Sequence, residues 1–152
     1  MLDYLGISAA IKGFCTELSK QHDVEIEFTA FNVPMDLPKD ISLCLFRVAQ
    51  EALHNAVKYS GTSRYTVELR GISDRIQLKV NDSGAGFDVE EARKNRGLGL
   101  VSMQERVHLV LGSISVESKR GEGTTILVNV PIGQIGSPSQ ESEVEPASTW
   151  TL

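Results

Sequence analysis

The sequence predicts an α+β protein folded as a two-layer α/β sandwich, with helices on one face of a mixed, mostly antiparallel sheet. Three observations predict it. Apolar residues recur at helical spacing in three stretches. They alternate with polar residues in five short ones. The two kinds interleave in the order helix, strand, helix, two strands, glycine-rich loop, helix, two strands. Strands joined by short turns favour antiparallel pairing, and helices that share a chain with such strands cover one sheet face.

The first helix is expected over residues 7 to 21, where Ile7, Ala10, Ile11, Phe14, Cys15 and Leu18 fall on one side. The period then changes. Val24, Ile26 and Phe28 alternate with Glu25, Glu27 and Thr29, the pattern of a half-buried strand. Asn32 to Pro38 reads as a proline-punctuated loop, and Pro38 suits the first turn of the next helix, where its missing N–H costs nothing. That helix runs to about Ser60, with Gly61 placed to stop it. Tyr65, Val67 and Leu69, then Ile76, Leu78 and Val80, predict a hairpin turning through Gly71 to Asp74. Leu100 to Leu111 is again helical in spacing, with Gly112 as its cap. Ile114 and Val116, then Ile126, Val128 and Val130, supply two last strands around a turn at Lys119 to Gly123.

The 152 residues, 41% hydrophobic and 23% charged, suit one domain with a core, assigned to residues 1 to 132. Residues 133 to 152, rich in Ser, Pro and Glu, are expected to be a disordered tail. A net charge of −5 argues against broad binding to nucleic acid or an anionic membrane, so any phosphate site must be local. There is no 18-residue apolar run and no basic-then-apolar leader, and the expected location is cytoplasmic. Cys15 and Cys44 have neither CxxC nor Cys/His spacing and read as reduced core thiols.

On the long helix, Ile41, Leu45, Val48, Ala49, Ala52 and Ala56 form the sheet-facing stripe. Glu51, Asn55 and Lys58 border it at i, i+4 and i+7, within about 60° of one another. Such a line is common on ordinary helix surfaces. It also suits a divalent cation and phosphate, with Asn55 a neutral oxygen ligand, Lys58 a point charge and Glu51 a carboxylate able to polarise a proton donor. The loop "VNDSGAGFDVEEARKNRGLGL" contains no GxxxxGK[ST], and neither glycine pair completes GxGxxG. What it does contain is Asp82 at a strand end, Gly84 and Gly86 after it, and Gly97 and Gly99 opening a helix. Helix N-terminal amides with a glycine approach suit an anion, and a fixed carboxylate can select an exocyclic amine. Each glycine pair alone is more often a turn. Between them, Arg93, Lys94 and Arg96 are candidates to reach a terminal phosphate, but Glu90 and Lys94 also make an ordinary i,i+4 surface pair, and for Arg93 and Lys94 the surface reading is favoured.

In this order the segments resemble the ATP-binding domain of the GHKL superfamily. "FRVAQEALHNAVKYS" is similar to its N box, "VNDSGAGF" to its first glycine box, "RGLGLVSMQERV" to its second and "GEGTTILVNVP" to its last strand pair. With "LDYLGISAAI", the wording is most similar to bacterial two-component sensor histidine kinases that partner NarL-type response regulators. The resemblance covers about residues 1 to 132 and implies the Bergerat fold, ATP and Mg²⁺ as cofactors, and γ-phosphate delivery to a histidine. By this likeness Asn55 would hold Mg²⁺, Lys58 would contact phosphates and Asp82 the adenine amine. Gly84 and Gly86 would shape the pocket, Gly97, Leu98, Gly99 and Leu100 would wrap the phosphates, and Thr124 would assist at the base. Glu51 matches the N-box acid, a base in the related ATPases. Tyr59 departs from the histidine that often follows the N-box lysine in this subfamily.

His22 and His108 lack the acidic, basic-flanked helical setting of an acceptor histidine, and His54 points away from Glu51 and Asn55 on the helical wheel, toward solvent. A dimerisation helix pair is not found. The chain is therefore expected to be the catalytic part of a longer kinase. By itself it is expected to be monomeric and to bind nucleotide without autophosphorylation. The whole kinase would be a homodimer, and its anchoring to a membrane stays open. Its partners would be the histidine-bearing dimerisation domain and a NarL-type regulator, with no nucleic acid and no direct membrane contact by this part. A serine kinase of the anti-sigma-factor type and a non-catalytic nucleotide-sensing module stay open beside this reading.

Overall fold

The structure, a computed structural model, describes residues 2–85 and 99–133, the side chains of residues 2–5 and 59 excepted. In chain order the elements are α1 (Leu2–His22), β1 (Glu25–Phe31), α2 (Lys39–Tyr59), β2 (Arg64–Ile72), β3 (Arg75–Asp82), α3 (Leu100–Leu109), β4 (Ser113–Ser118) and β5 (Thr124–Pro131). The strands form one sheet in the order β1-β2-β3-β5-β4. Of these pairings β1 with β2 is parallel, because α2 crosses over between them; the other three are antiparallel.

Alternation along the strands decides which face meets the helices. In β3, Ile76, Leu78, Val80 and Asp82 point inward, and Gln77, Lys79 and Asn81 lie between them on the other face. Val67, Leu69, Ile76, Leu78, Val128 and Val130 are fully buried against Ile11, Leu45, Val48 and Leu53 of the helices. Burial of each such side chain contributes about 1.5–3 kcal/mol, so this single apolar layer is the core. The opposite face is polar and open, with Gln77 donating to Asn129 at 3.1 Å and Asn81 to Thr125 Oγ1 at 2.6 Å. The two-layer α+β architecture expected from the sequence is thus the one observed.

Local boundaries differ from expectation in several places. A break at Gly6, with φ 81° and ψ 173°, divides α1, so the regular helix begins where the apolar spacing does. Pro38 is the N-cap of α2, one position before the first turn, and its carbonyl accepts from Ile41 N at 3.1 Å and Ser42 N at 3.0 Å. At the end of α3 the left-handed residue is Leu111, with φ 62°, and not Gly112. Leu111 N bonds His108 O at 3.0 Å and Gly112 N bonds Val107 O at 2.9 Å, the paired reverse bonds of a Schellman cap. Gly112 is required for another reason. A Cβ there would stand 2.7 Å from Asn129 O, so the chain passes flush beneath β5. The hairpin turn is Ser73–Asp74, shorter than the expected Gly71–Asp74. Cys15 and Cys44 are buried and unbridged, and burial pushes both thiols up to about 11.

Candidate functional site

Four inward-facing side chains form one row across the end of the sheet. Tyr65 in β2 pairs with Asp82 in β3, Asp82 with Thr124 in β5, and Thr124 with Ser118 in β4. Each is in phase with the buried positions of its strand, yet Asp82, Thr124 and Ser118 are polar. Asp82 is only 7% exposed. Burial raises its pKa above the ordinary 3.8, and the backbone N–H groups of Gly84 and Thr124 bring it part of the way back. The Gly84 N–H donates to Oδ1 at 2.8 Å. A buried carboxylate held at both sides by backbone donors is fixed in position, and its remaining lone pairs can accept from a ligand amine.

Two glycines let the neighbouring backbone close on this aspartate. A Cβ on Gly84 would overlap the Ser60 carbonyl and stand 2.7 Å from Ser60 Cβ. One on Gly123, whose φ is 84°, would overlap the Asp82 carbonyl and stand 2.8 Å from Ser83 Cα. Ala85 stitches both sides together, its N–H donating to Ser60 O at 2.6 Å and its carbonyl accepting from Gly121 N at 2.5 Å. Ser60 in turn is the C-cap of α2, and Tyr65 Oη steadies that end by donating to Thr62 O at 2.5 Å. The end of α2, the loop after β3 and the β4–β5 turn are therefore one assembly.

The second glycine segment meets α2 four residues before Asn55. Gly99 is the left-handed N-cap of α3, with φ 65°, and its carbonyl accepts from Met103 N at 3.0 Å. A Cβ on it would overlap the Glu51 carboxylate, with Cδ at 2.9 Å. Glu51 and Asn55 are half-buried and Lys58 is exposed, all on the same helix. Asn55 thus sits between two contacts, Gly99 on Glu51 and the Gly84–Ala85 loop on Ser60. The Leu100 side chain is 3% exposed in the core, which leaves its backbone N–H as the group it can offer a ligand. Gly86, Gly97, Leu98, Arg93, Lys94 and Arg96 lie outside the described residues, as does the side chain of Tyr59.

His54 is exposed as expected, but its ring also packs edge-on to Phe14, with centroids 5.5 Å apart. Sequence reasoning missed Ser60, Tyr65 and Ser118. The signal for Ser118 was present: it is a polar residue in phase with Ile114 and Val116. Ser60 and Tyr65 gave no such signal, because their roles depend on which strands and helix end come together. Among the described residues no group of three or more His, Cys, Asp or Glu side chains could hold a metal by itself.

The family model described as histidine kinase-, DNA gyrase B-, and HSP90-like ATPase matches residues 41–134. The signal transduction histidine-protein kinase/phosphatase DegS of Bacillus subtilis (strain 168) is 36% identical over 136 residues, covering 86% of this chain. The chain spans 35% of the length of that relative. The histidine kinase domain of the Erythrobacter litoralis EL346 blue-light activated kinase superposes with a TM-score of 0.67 at 20% identity, over 83% of this chain and 61% of that one. The catalytic domain of histidine kinase ThkA superposes with a TM-score of 0.63 at 17% identity, over 83% of this chain and 90% of that one. At such identities these two likenesses concern the fold, whereas the family match and DegS concern the sequence itself. This chain belongs to the histidine kinase-, DNA gyrase B- and HSP90-like ATPase family.

Proposed function

We propose that the chain is the Mg-ATP-binding catalytic domain of a sensor histidine kinase, delivering the γ-phosphate to a histidine on a separate dimerisation domain. The observation that carries this reading is Asp82, a buried carboxylate clamped between Gly84 and Gly123 at the end of the sheet. It accepts the adenine amine, and Thr124 beside it completes the base site. Gly84 and Gly86 shape the pocket, and the amides of Gly97, Leu98, Gly99 and Leu100 receive phosphate oxygens; Gly99 and Leu100 open α3, where backbone N–H groups lack helical acceptors. Lys58 adds a positive charge from α2.

The donor set suits Mg²⁺. Asn55 offers a hard, neutral oxygen, and a protein that supplies few ligands leaves the remaining positions to phosphate and water, as this ion prefers. Bound there, the ion would neutralise phosphate charge. The protein's own contribution is to hold the nucleotide in line and exclude water, the larger part of phosphoryl-transfer catalysis. Glu51, pressed against Gly99 between base and phosphate elements, can accept a hydrogen bond or a proton from the incoming imidazole. The phosphoryl group would pass on to a NarL-type regulator in the cytoplasm, and the full kinase would act as a homodimer. Residues 1–132 form the ATP-binding unit in this reading, and residues 133–152 a tail outside it. No described helix is long and apolar enough to cross a membrane.

Calorimetric titration with ATP and ADP, with and without Mg²⁺, tests the site. ATP should bind with at least about tenfold loss in Asp82→Asn, as expected when a buried hydrogen-bonding partner is removed. Asn55→Asp should change the Mg²⁺ response. Adding the histidine-bearing domain of the kinase with labelled ATP should then yield phosphohistidine, while the chain alone labels nothing. No binding at millimolar nucleotide would overturn the reading, and label on serine in a partner would replace histidine transfer by serine transfer.

A further inference from the structure

We propose that Ser118 is a positioning residue that sets base specificity: it takes the hydroxyl proton of Thr124, leaving that hydroxyl as a hydrogen-bond acceptor beside Asp82. The inference rests on the nucleotide-site reading above and extends it to a residue outside the glycine boxes.

Ser118 closes β4 and lies opposite Thr124, which opens β5 and lies opposite Asp82. All three side chains are in phase with core residues Val116, Ile126 and Val80, so they share the helix-facing side of the sheet end. Ser118 Oγ stands 3.1 Å from Gly123 O and 2.8 Å from Thr124 Oγ1. The first contact has one possible donor, because a carbonyl has no proton, and a hydroxyl has a single hydrogen to give. Once the Ser118 proton goes to Gly123 O, the hydrogen between the two hydroxyls must come from Thr124. The reverse arrangement would leave two oxygens 3.1 Å apart with no proton between them. The Gly123 carbonyl is itself held in place, since its residue has φ 84° and packs flush against the Asp82 backbone.

A free threonine hydroxyl rotates and serves as donor or acceptor according to its partner. Here the rotor is fixed, so Asp82 and Thr124 both present lone pairs to the base. A 6-aminopurine carries two amino hydrogens to meet them. A water that donates to Thr124 also has its second hydrogen for the acceptor N1. A 6-oxopurine brings an oxygen to the same place and reverses the polarity of N1, so it is left with unpaired groups. Without Ser118, the Thr124 hydroxyl can turn and donate to that oxygen.

The test compares ATP with ITP, which differ only at the 6 position and N1, by Mg²⁺-containing calorimetric titration of wild type, Ser118→Ala, Ser118→Thr and Asp82→Asn. Ser118→Ala is expected to lower the ATP:ITP affinity ratio about fivefold to tenfold, the usual worth of one or two misdirected hydrogen bonds. Ser118→Thr, which keeps the hydroxyl and suits a strand, should restore the ratio to within about twofold. A general loosening of the sheet end would weaken both nucleotides alike. An unchanged ratio in Ser118→Ala, equal loss of ATP and ITP, or failure of Ser118→Thr to restore the preference would each overturn the proposal. If Asp82→Asn loses selectivity while Ser118→Ala keeps it, only the role of Ser118 falls. If Asp82→Asn binds ATP as wild type does, the site reading falls with it.

Discussion

Asp82 shows how a buried carboxylate proposed to bind a ligand can cost the folded state something. Burial raises its pKa more than the Gly84 and Thr124 N–H groups lower it, so ionising it is harder in the folded protein than in the unfolded chain, whose value is the ordinary 3.8. A group of this kind gives its full stability below the unfolded pKa and loses it as pH rises through the raised folded value. The nucleotide-free protein should therefore gain melting temperature, relative to Asp82→Asn, as pH falls through that window. With the adenine amine on Asp82 as proposed, ATP affinity should move the other way, because protonation sets an O–H donor on the carboxyl where that amine needs an acceptor. Paired melting and binding curves for wild type and Asp82→Asn check both signs, and parallel curves for the two proteins would refute the assignment. The placement of this residue at a strand end beside a glycine-bearing loop was legible in the sequence, because a strand-end aspartate followed by GxG is a local pattern. The polarity of its surroundings was not, since the hydroxyl relay through Ser118 depends on the register of β4 against β5.

Capping decides where α3 ends, and the structure places a leucine where glycine is favoured. Leu111 is 81% exposed and has φ 62°, so its side chain gains little from packing while its backbone is strained. Leu111→Gly should stabilise the protein by about 1 kcal/mol, less the entropy glycine returns to the unfolded chain, as read from urea unfolding midpoints. Gly112→Ala should do the opposite, since its Cβ would meet Asn129 O at 2.7 Å and Val130 Cγ2 at 2.9 Å. The sequence placed a cap at this glycine correctly within one residue. It could not assign the left-handed position, because close approach to β5 and not dihedral freedom is what requires Gly112. A similar limit applies to Gly84. Gly84→Ala is expected to drive Ser60 and the Asp82 loop apart, lowering both the unfolding midpoint and ATP affinity, whereas Gly61→Ala, with open space around its Cβ, should affect only stability through its φ of 76°. Equal effects of the two variants on ATP binding would contradict the stitched assembly.

For the whole molecule, the two-layer arrangement was readable because periodicity reports which face of each element is apolar, and one apolar face per element suffices for two layers. The sheet order was not readable, since β5 inserts between β3 and β4 through pairings between residues far apart in the chain. The two cysteines report on that shared core. Cys15 belongs to α1, and Cys44 sits at the seam between α2 and α3, with Sγ 3.6 Å from Arg106 O. Burial pushes both to about 11 from an ordinary 9.0, and for Cys44 the Arg106 charge offsets part of this. At pH 8 the thiolate fraction therefore falls from about one in ten to about one in a thousand, and reaction with a maleimide should proceed through opened states. If α2 and α3 separate only when the sheet end proposed to bind ATP is also lost, Mg-ATP at 100 times its Kd adds about 2.7 kcal/mol to the cost of opening and slows Cys44 labelling about a hundredfold. Cys15 should slow equally if α1 opens with the rest, and less if α1 detaches alone. Labelling of Cys44 at a rate indifferent to Mg-ATP would mean that the α2–α3 seam opens without disturbing the site, and that the site and the core are not one cooperative unit.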